Sequence, residues 1–262
     1  MNRPKVTAIL ITLNEEKNIR DCLESIKWVD EIIVIDSISN DRTVDICKEY
    51  TNRIYQRKYQ GTSRTRNWGA SLATHDWIMT VDADERWPEA LHQEIIRKLS
   101  SNTTYTGYYF PVKTHFLNRA MTTKYWYPKY YIRLFNRNYG RFKEQEVHAP
   151  FILDGNAGYM QNDILHFPYP DIETYLEKLN RYTSWQAKDM LNENIPLSRW
   201  DFPYKSMLRL VSIPFRHIIF YKAYRDGLPG IVISFLLSFY YFVLFCKYWL
   251  LRTTSPKTNL QI

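Results

Sequence analysis

The sequence predicts a protein of the α/β class, built on a Rossmann-like, mostly parallel sheet with flanking helices. Strand-like and helix-like segments alternate through the first hundred residues, as they do where crossover helices join parallel strands. The strand-like segments are almost continuously apolar, which is expected when both faces of a strand are covered. Near the C-terminus, eighteen uncharged residues run from Pro229 to Cys246. They predict a further helical segment that associates with a membrane.

The alternating elements of the first hundred residues follow in order along the chain. Apolar runs that predict strands occupy residues 6–13, 31–35, 54–55 and 77–81. Helical spacing of apolar residues, or a capping residue before helix formers, predicts helices at residues 19–26, 44–50 and 61–73, and one that Pro88 opens.

Residues 101–195 have a different character. The short aromatic segments "TGYYFPV", "YYIRLFNR" and "GYMQNDILHF" predict additional strands, some of them antiparallel, and residues 171–191 predict a helix. We therefore predict one domain over residues 1–195, in two halves that meet at residue 100. A basic and apolar helical segment, residues 196–262, follows this domain.

The composition excludes several classes of protein. The 262 residues carry a net charge of +8, which favours anionic partners such as phosphorylated ligands, anionic lipids or nucleic acids. The absence of a long Lys or Arg block argues against a nucleic-acid-binding arm. Three widely spaced cysteines suggest neither a disulfide framework nor a zinc knuckle, and they fit a reducing compartment. The apolar run at residues 6–11 is too short for a signal peptide.

Three of the predicted strands end in polar, mostly acidic residues. Asn14 and Glu15 follow the first strand, Asp36 ends the second, and Asp82 and Asp84 follow the fourth. In open α/β sheets ligands bind at the carboxyl ends of the strands. Residues two apart on a strand face the same way, so Asp82 and Asp84 can share a ligand. Their oxygens suit Mg²⁺ or Mn²⁺ completed by substrate phosphates; alternatively, they only solvate a loop and cap the next helix.

Four blocks of sequence, in this order, resemble the inverting family-2 glycosyltransferases of the GT-A fold. The blocks are "VTAILITLNEEKNIRDCLESI", "DEIIVIDSISNDRT", "GTSRTRNWGASLATHDWIMTVDADE" and "ILHFPYPDIETYLEKLNRY". The most similar subgroup is that of the lipopolysaccharide core β-glucosyltransferase-like proteins, and the similarity covers most of the chain. It implies hexosyl transfer from a nucleotide-sugar, with UDP as the expected nucleotide and Mg²⁺ or Mn²⁺ as cofactor. Residues 1–100 would bind the nucleotide and residues 101–195 the acceptor.

The resemblance also implies roles for individual residues. Those expected to bind the nucleotide-sugar are Thr12, Asn14, Glu15, Asp36, Arg66 and Asp82. Asp36 is expected to contact the base or ribose, although "DSISND" also suits a turn-forming role. Asp84 is expected to bind the metal directly, and Asp82 is expected to lie at the metal as a second ligand or to contact the nucleotide ribose. Arg133, in "RLFNR", is a further candidate for the diphosphate, and its alternative role is a surface ion pair.

An inverting transfer also needs a base that takes the proton of the acceptor hydroxyl. The segment "RFKEQEVHAP" is our candidate, with Glu146 as the first choice and Glu144 as the second. His148 is a candidate metal ligand, or it orients the phosphate, or it is a hydrogen-bonded structural residue. Similar family segments continue from Val-His into an acidic residue, whereas this chain has Ala149. His166 also matches a family block, and we expect it to be structural.

The uncharged C-terminal run is close to the length that crosses a bilayer. Eighteen helical residues span about 27 Å, slightly less than the roughly 30 Å of a hydrocarbon core. Basic and aromatic residues are interleaved before it, which suits the anionic headgroups of a cytoplasmic leaflet. A spanning helix, a monotopic anchor and a buried core or dimer helix all fit, and we favour the monotopic anchor. The predicted location is the cytoplasmic face of the inner (plasma) membrane, peripheral or monotopic.

Together these features predict a metal-dependent inverting glycosyltransferase. Its acceptor would be a saccharide of a cell-envelope glycan or of a lipid-linked oligosaccharide. One alternative is a polyprenyl-phosphate glycosyltransferase, whose ionised acceptor needs no strong base. Another is a non-catalytic sugar-nucleotide-binding protein at the membrane. A nucleotidyltransferase would carry a Gly-rich phosphate loop after the first strand, and "TLNEEKN" contains no Gly. No nucleic-acid partner is expected, and the oligomeric state is left open.

Overall fold

The computed structural model describes residues 3–101, 104–143, 150–193, 195 and 201–254, with the backbone alone at 201–206. The chain divides into two compact units. Unit 1 comprises Met1–Thr114 and Tyr127–Pro168, and unit 2 comprises His115–Trp126 and Tyr169–Ile262. The division between the units falls before the functional boundary expected at residue 195, which stays a prediction.

The strands alternate with helices in the first hundred residues and then follow one another. The strands are β1 (Val6–Thr12), β2 (Glu31–Asp36), β3 (Ile54–Gln56), β4 (Trp77–Asp82), β5 (Glu85–Arg86), β6 (Tyr105–Phe116), β7 (Arg119–Ala120), β8 (Lys129–Asn136), β9 (Gly140–Phe142), β10 (Phe151–Leu153), β11 (Asn156–Tyr159) and β12 (Ile164–Tyr169). The helices are α1 (Ile19–Ile26), α2 (Thr43–Cys47), α3 (Thr62–Leu72), α4 (Glu89–Ser100), α5 (Ile172–Asn192), α6 (Asp201–Phe215) and α7 (Gly227–Thr254).

The main sheet of unit 1 has a parallel part and a mixed part. β3, β2, β1 and β4 lie side by side in that order and are parallel. β8 is antiparallel to β4, β6 is antiparallel to β8, and β11 is parallel to β6. β5 pairs with β12, and β9 pairs with β10. The predicted α/β class is confirmed, including the antiparallel strands expected after residue 100.

β1 lies at the centre of the parallel part because it is apolar on both faces. Leu10 belongs to the core on the side of α1, α2 and α4, and Ile9 belongs to the core on the side of α3. α3 lies unusually close to the sheet, since a Cβ on Gly69 would stand 2.5 Å from Ile9 Cγ2. This close approach brings Arg66, nearly one turn before Gly69, within reach of the end of β4.

A charged cluster forms at the opposite edge of the sheet, where β2 begins. The Glu31 carboxylate accepts hydrogen bonds from Thr7 Oγ1 (2.6 Å) and from Thr74 N and Oγ1 (2.8 and 2.7 Å), and it pairs with Arg53. Partial burial favours the neutral acid. The hydrogen bonds and the charge of Arg53 outweigh burial and lower the pKa of Glu31 to about 2.

Glu31→Gln is expected to lower the free energy of unfolding by about 2 kcal/mol at neutral pH. Because the folded-state pKa lies below the ordinary value of 4.5, the stabilisation is fully present above pH 4.5 and is lost as the pH falls toward 2. The gap between wild type and variant should therefore narrow on acidification, which urea unfolding over a pH series measures. Glu49→Gln, which removes an exposed partner of Arg20, is the control and should change stability much less, because water and salt screen an exposed ion pair. A gap that does not change with pH would contradict this account.

Unit 2 is mainly helical. α7 packs along α5 and α6, and its Ile233 joins a core with Phe116 and Tyr175. The Lys247 ammonium of α7 donates to Asn180 O, Thr183 Oγ1 and Ser184 Oγ of α5 at 2.6–2.9 Å. α7 is therefore tied to α5 by polar bonds as well as by apolar packing.

One helix in the described part of the chain is long and apolar enough to cross a bilayer. It comprises Ala223–Thr254, and 33% of its most apolar window is buried. By length and composition alone, such a helix fits a core helix as well as a membrane helix. Most of the large apolar side chains exposed among the described residues also belong to unit 2, including Phe215, Phe220 and Leu228. Unit 2 thus exposes more large apolar side chains than unit 1 among the described residues.

Candidate active site

The carboxyl ends of three parallel strands meet at one edge of the sheet. Thr12 at the end of β1 is paired with Asp36 at the end of β2, and Ile11 is paired with Asp82 at the end of β4. Neighbouring strands lie about 4.8 Å apart, so Asp36 and Asp82 are separated by roughly 10 Å. The edge therefore carries one carboxylate on each side of β1.

Two arginines hold the carboxylate of Asp82. Arg66 Nη2 donates to Oδ1 at 2.6 Å, and Arg133 Nη2 donates to Oδ2 at 2.9 Å. Burial alone would raise the pKa of Asp82, but the two guanidinium charges lower it well below its usual range. Asp82 is therefore ionised at physiological pH, and both of its oxygens point in fixed directions. The structure brings these three predicted residues together.

A β-bulge directs Arg133 into this cluster. Along the β6–β8 pair, Tyr108 lies opposite Leu134 and Tyr109 lies opposite Ile132, which leaves Arg133 as an extra residue on β8. Bulges re-aim a side chain and are frequent beside active sites. Arg133 is only 8% exposed, so its ion pairs are not those of a surface residue, the alternative that the sequence left open.

Glu85 closes the cluster on its buried side. Its side chain has no exposed surface, its Oε1 pairs with Arg133, and its Oε2 accepts a hydrogen bond from Asp82 N at 3.2 Å. Burial raises the pKa of Glu85, although the charge of Arg133 opposes this rise. Glu85 thus positions both the arginine and the backbone that carries the aspartates. Glu85 was not among the predicted site residues, and its place in "VDADE" is the signal that could have assigned it a role.

Asp84 lies beside His166. The pairing of β5 with β12 sets His166 opposite Glu85 and brings its Nε2 within 3.3 Å of Asp84 Oδ1. Burial would lower the pKa of His166, but the Asp84 carboxylate raises it above its usual value. Phe167 N also donates to Asp84 O at 2.8 Å. His166, expected to be structural, is therefore in contact with the predicted metal ligand.

The donor atoms at Asp84 suit a divalent cation. A carboxylate oxygen and an imidazole nitrogen are ligands that Mn²⁺ accepts, and Mg²⁺ takes the carboxylate. A cation that keeps waters and substrate phosphate oxygens needs only one or two protein ligands. Among the described residues no group of three or more His, Cys, Asp or Glu side chains is arranged to hold a metal. The predicted ligand His148 lies outside the described residues.

Asp36 is engaged in the turn that follows β2. Its Oδ2 accepts hydrogen bonds from Ser39 N and Gln56 Nε2, each at 2.9 Å, and its Oδ1 pairs with Ser39 Oγ. This geometry matches the turn-forming alternative, and the expected contact with the base or ribose stays a prediction. In the same turn Ile38 has a φ of 67°, a left-handed conformation that β-branched residues rarely adopt. The turn therefore stores backbone strain beside the site.

The predicted residues of the first strand and its loop fall at the same edge. Asn14 Oδ1 accepts a hydrogen bond from Asn40 N at 2.9 Å, which ties the loop after β1 to the loop after β2. Glu15 N donates to Thr43 Oγ1 at 2.8 Å. Thr12 is buried, and its Oγ1 has no hydrogen-bond partner among the residues that the structure describes. A buried hydroxyl without a protein partner at a ligand-binding edge is a candidate for substrate contact.

The segment with the predicted base lies outside the described residues, but both of its flanks are anchored. Lys143 N donates to Pro150 O at 2.9 Å. The backbone of Phe142 exchanges two hydrogen bonds with the side chain of Asn67, at 2.8 and 3.0 Å. The Phe142 ring also lies 5.3 Å from the guanidinium carbon of Arg66. The two flanks of the segment are therefore held next to each other and beside α3. The predicted residues in the intervening segment are Glu144, Glu146 and His148.

Arg133→Met is expected to lower the free energy of unfolding by about 3 kcal/mol, because it leaves the buried Glu85 carboxylate without its cation. The double variant Arg133→Met/Glu85→Gln should recover part of this loss, since it removes the unpaired charge. Urea unfolding followed by tryptophan fluorescence measures both. Arg20→Met, which breaks an exposed ion pair with Glu49, is the matched control and should lower stability much less, because solvent screens that pair. Equal losses in Arg133→Met and the control would rule out the buried cluster as described.

Comparisons with known proteins bear on this site. A family model described as "Glycosyl transferase family 2" matches residues 7–165. An uncharacterized glycosyltransferase of Rickettsia felis is 26% identical over 93% of this chain and 89% of its own length. The lipopolysaccharide core biosynthesis glycosyltransferase LpsC of Rhizobium meliloti is 22% identical over 98% of this chain and 96% of its own. Glucosyl-3-phosphoglycerate synthase of Mycobacterium tuberculosis, solved with Mn²⁺ and UDP-glucose, is 21% identical, with a TM-score of 0.36 over 43% of this chain and 44% of that one.

Proposed function

The chain belongs to glycosyl transferase family 2, and we propose that it is a metal-dependent inverting hexosyltransferase that uses a UDP-sugar. One observation carries the proposal. The ionised carboxylate of Asp82, fixed by Arg66 and Arg133, stands two residues before Asp84 at the ligand-binding edge of the sheet. A fixed, charged group two residues from a candidate metal ligand suits recognition of a nucleoside diphosphate sugar.

Different residues of the chain would have different roles in the transfer. Arg66 and Arg133 hold Asp82 rigid, so that it can accept hydrogen bonds from a bound nucleotide without reorganising. Glu85 keeps Arg133 in place from the buried side. A base in the segment that Phe142 and Pro150 flank takes the proton from the acceptor hydroxyl as this oxygen attacks the anomeric carbon. The attack comes from the face opposite the leaving diphosphate, which inverts the configuration.

The metal would be held at Asp84, with His166 beside it. When bound, a divalent cation supplies the positive charge that stabilises the leaving diphosphate. Each oxygen of Asp82 already accepts one hydrogen bond from an arginine, so we assign its remaining lone pairs to the nucleotide and place Asp82 close to the cation rather than in direct contact with it. His148 is a further ligand that the sequence predicts.

The acceptor that we propose is a saccharide of a cell-envelope glycan or of a lipid-linked oligosaccharide. The relative named for lipopolysaccharide core biosynthesis aligns with nearly the whole chain, which supports an envelope acceptor. An acceptor of this kind is assembled at a membrane, and the exposed apolar side chains of unit 2 are consistent with that location.

Calorimetric titration of UDP into the protein, with Mn²⁺ and with EDTA, tests the function. We expect UDP to bind in Mn²⁺ and to lose most of its affinity in EDTA. Transfer of radiolabelled sugar from UDP-sugars to a total envelope lipid extract then tests turnover. Absence of UDP binding in both conditions would exclude UDP as the leaving group, and GDP, CMP and dTDP would be titrated next.

We further propose that unit 2 holds the enzyme on the cytoplasmic face of the inner membrane as a monotopic anchor. The turn between α6 and α7 exposes Phe220 (69%), and the first turn of α7 exposes Leu228 (71%). Lys222 and Arg225 stand between them. Apolar side chains that enter the acyl boundary, with cations at the headgroups, suit an anionic bilayer.

The packing of α7 favours an anchor over a spanning helix. Through Lys247, α7 is bonded to α5, and α5 exposes the charged residues Glu173, Glu177 and Lys188. If α7 crossed the bilayer, this neighbour would carry its charges into the hydrocarbon core, at several kcal/mol for each. An orientation along the surface avoids that cost.

Flotation with vesicles tests the anchor. Wild-type protein is expected to float with vesicles that contain phosphatidylglycerol and to float less with phosphatidylcholine alone. Phe220→Ser/Leu228→Ser should reduce vesicle binding at least about tenfold, since each buried side chain contributes roughly 1.5–3 kcal/mol. Tyr139→Ser, an exposed aromatic residue of unit 1, is the control and should float like wild type. Equal flotation of the double variant and wild type would exclude this turn as the anchor.

A further inference from the structure

Three tyrosines from three strands form an exposed cluster on the sheet of unit 1. We call Tyr109 of β6, Tyr130 of β8 and Tyr159 of β11 the tyrosine platform. The rings of Tyr109 and Tyr159 are stacked at 5.3 Å and 22°, and the rings of Tyr130 and Tyr159 meet edge to face at 5.4 Å and 81°. Tyr130 is 45% exposed and Tyr159 is 58% exposed. The exposed rings of Tyr130 and Tyr159 thus lie at nearly a right angle to each other.

Strand register explains why these residues meet. Tyr159 is paired with Tyr109 across β11 and β6, and Pro111 of β6 is paired with Tyr130 of β8. Gly158 permits the approach of β11, because a Cβ there would lie 2.8 Å from the ring of Tyr108. Residues two apart on a strand share a face, so Tyr109, Tyr130 and Tyr159 all project from the same side of the sheet.

The platform lies next to the candidate active site within the same unit. β8 is the strand beside β4, and Arg133 of β8 bonds Asp82 at 2.9 Å. Tyr130 precedes Arg133 by three residues, which is about 10 Å along a strand. β4 separates β8 from β1 and β2, where the nucleotide is expected, so the platform lies across β4 from those two strands. A molecule on the platform would therefore approach the donor from the side of residues 101–195.

The chemistry of the platform fits a sugar ring. One side of a pyranose is a patch of C–H groups, and the negative face of an aromatic ring attracts such positively polarised hydrogens. Tyrosine adds a hydroxyl that can bond to sugar hydroxyls, and its ring presents a large contact area at a small entropic cost. Most of the large apolar side chains exposed in the described part of unit 1 are tyrosines, so the platform is both apolar and able to form hydrogen bonds.

We infer that the tyrosine platform binds a pyranose ring of the acceptor saccharide and presents its hydroxyl to the donor site. The inference rests on the proposed function, because it presupposes a saccharide acceptor. A cluster that only stabilises the sheet through cross-strand aromatic pairs would behave differently. Its loss would lower stability and leave saccharide binding unchanged.

Saturation-transfer NMR with the full chain separates these roles. The probes are the methyl α- and β-glycosides of glucose, galactose and mannose. The variants are Tyr130→Ala and Tyr159→Ala, with Tyr139→Ala as the matched control. Tyr139 is 48% exposed and follows Asn136, which pairs with Trp77 at the start of β4. The control residue therefore lies at the opposite edge of the sheet. UDP titration of every variant reports the integrity of the donor site.

Wild-type protein is expected to transfer saturation to at least one glycoside, which shows binding. Each platform variant should raise the dissociation constant of that glycoside by about threefold to tenfold. Tyr139→Ala should bind the glycoside as wild type does, and the UDP affinity of all variants should be unchanged. The inference is overturned if wild type binds UDP but transfers saturation to no glycoside. It is also overturned if the platform variants bind the glycoside as tightly as wild type does. Failure of wild type to bind UDP would instead contradict the proposed donor, so the two failures are distinguishable.

Discussion

Asp84→Asn is expected to abolish sugar transfer, with a loss of roughly 10³-fold to 10⁴-fold in kcat/KM. A cation that stabilises the leaving diphosphate is worth several kcal/mol in the transition state, and each 1.4 kcal/mol is a factor of ten in rate. The amide keeps the size of the carboxylate and removes the charge that holds the cation. The neighbouring carboxylate of Asp82 does not replace Asp84, because its two oxygens accept hydrogen bonds from Arg66 and Arg133.

Three measurements check this prediction. UDP titration in Mn²⁺ should show that Asp84→Asn binds UDP about as weakly as wild type does in EDTA. Electron paramagnetic resonance should show that the variant no longer retains Mn²⁺. Asp76→Asn is the matched control, since Asp76 precedes β4 at the other edge of the sheet and pairs with Arg137. It should behave as wild type. Tight UDP binding by Asp84→Asn, or binding that EDTA does not weaken, would show that the nucleotide is held without a metal.

The parallel part of the sheet could be predicted because its signals are local. A strand buried on both faces, such as β1, is a continuous apolar run, and α1 buries Ile19, Cys22, Leu23 and Ile26 at helical spacing. Once the strands are parallel, their carboxyl ends must share one edge. The placement of Asp36 and Asp82 on either side of β1 follows from that rule, and the register of the strands agrees with it.

The inner part of the site depends on contacts between distant segments and could not be predicted in the same way. The bulge at Arg133 is set by the register of β6 against β8, and no local pattern marks which residue of "YYIRLFNR" is the extra one. His166 reaches Asp84 only because β12 pairs with β5. The role of Gly69 depends on the side chains of Ile9 and Ile35 beneath it. Each of these features requires the tertiary structure.

The tyrosine platform illustrates the same limit. The sequence shows an excess of tyrosine, and composition alone cannot separate core, membrane-interface and carbohydrate-binding roles. Tyr108 is fully buried while Tyr159 is 58% exposed, although both lie in similar aromatic segments. Strand pairing decides which rings face solvent, and strand pairing is the property that sequence patterns specify least in short, aromatic strands.

The identity of the base depends on a segment whose flanks are fixed beside the donor site. Phe142 is bonded to Asn67, and its ring lies against Arg66, which bonds Asp82. Glu144 and Glu146 follow Phe142 by two and four residues. Both predicted bases are therefore close in sequence to a residue that contacts the candidate site. A base is needed for turnover only if the acceptor is a neutral hydroxyl. The need for a base therefore distinguishes a saccharide acceptor from a phosphate acceptor, which is already ionised.

Glu146→Gln is expected to lower kcat by roughly 10²-fold to 10⁴-fold, the usual contribution of a general base, with UDP affinity unchanged. Glu144→Gln should have a smaller effect, and an exchange of the two results would assign the base to Glu144. Radiolabelled sugar transferred to an envelope lipid extract measures turnover, and mild acid then separates labile glycosyl phosphates from stable glycosides. If the double variant Glu144→Gln/Glu146→Gln still transfers sugar at the wild-type rate and its product is acid-labile, the acceptor is an already ionised phosphate, as in a polyprenyl-phosphate glycosyltransferase. A stable glycoside formed at the wild-type rate would instead place the base outside this segment, because a neutral hydroxyl cannot attack efficiently without losing its proton.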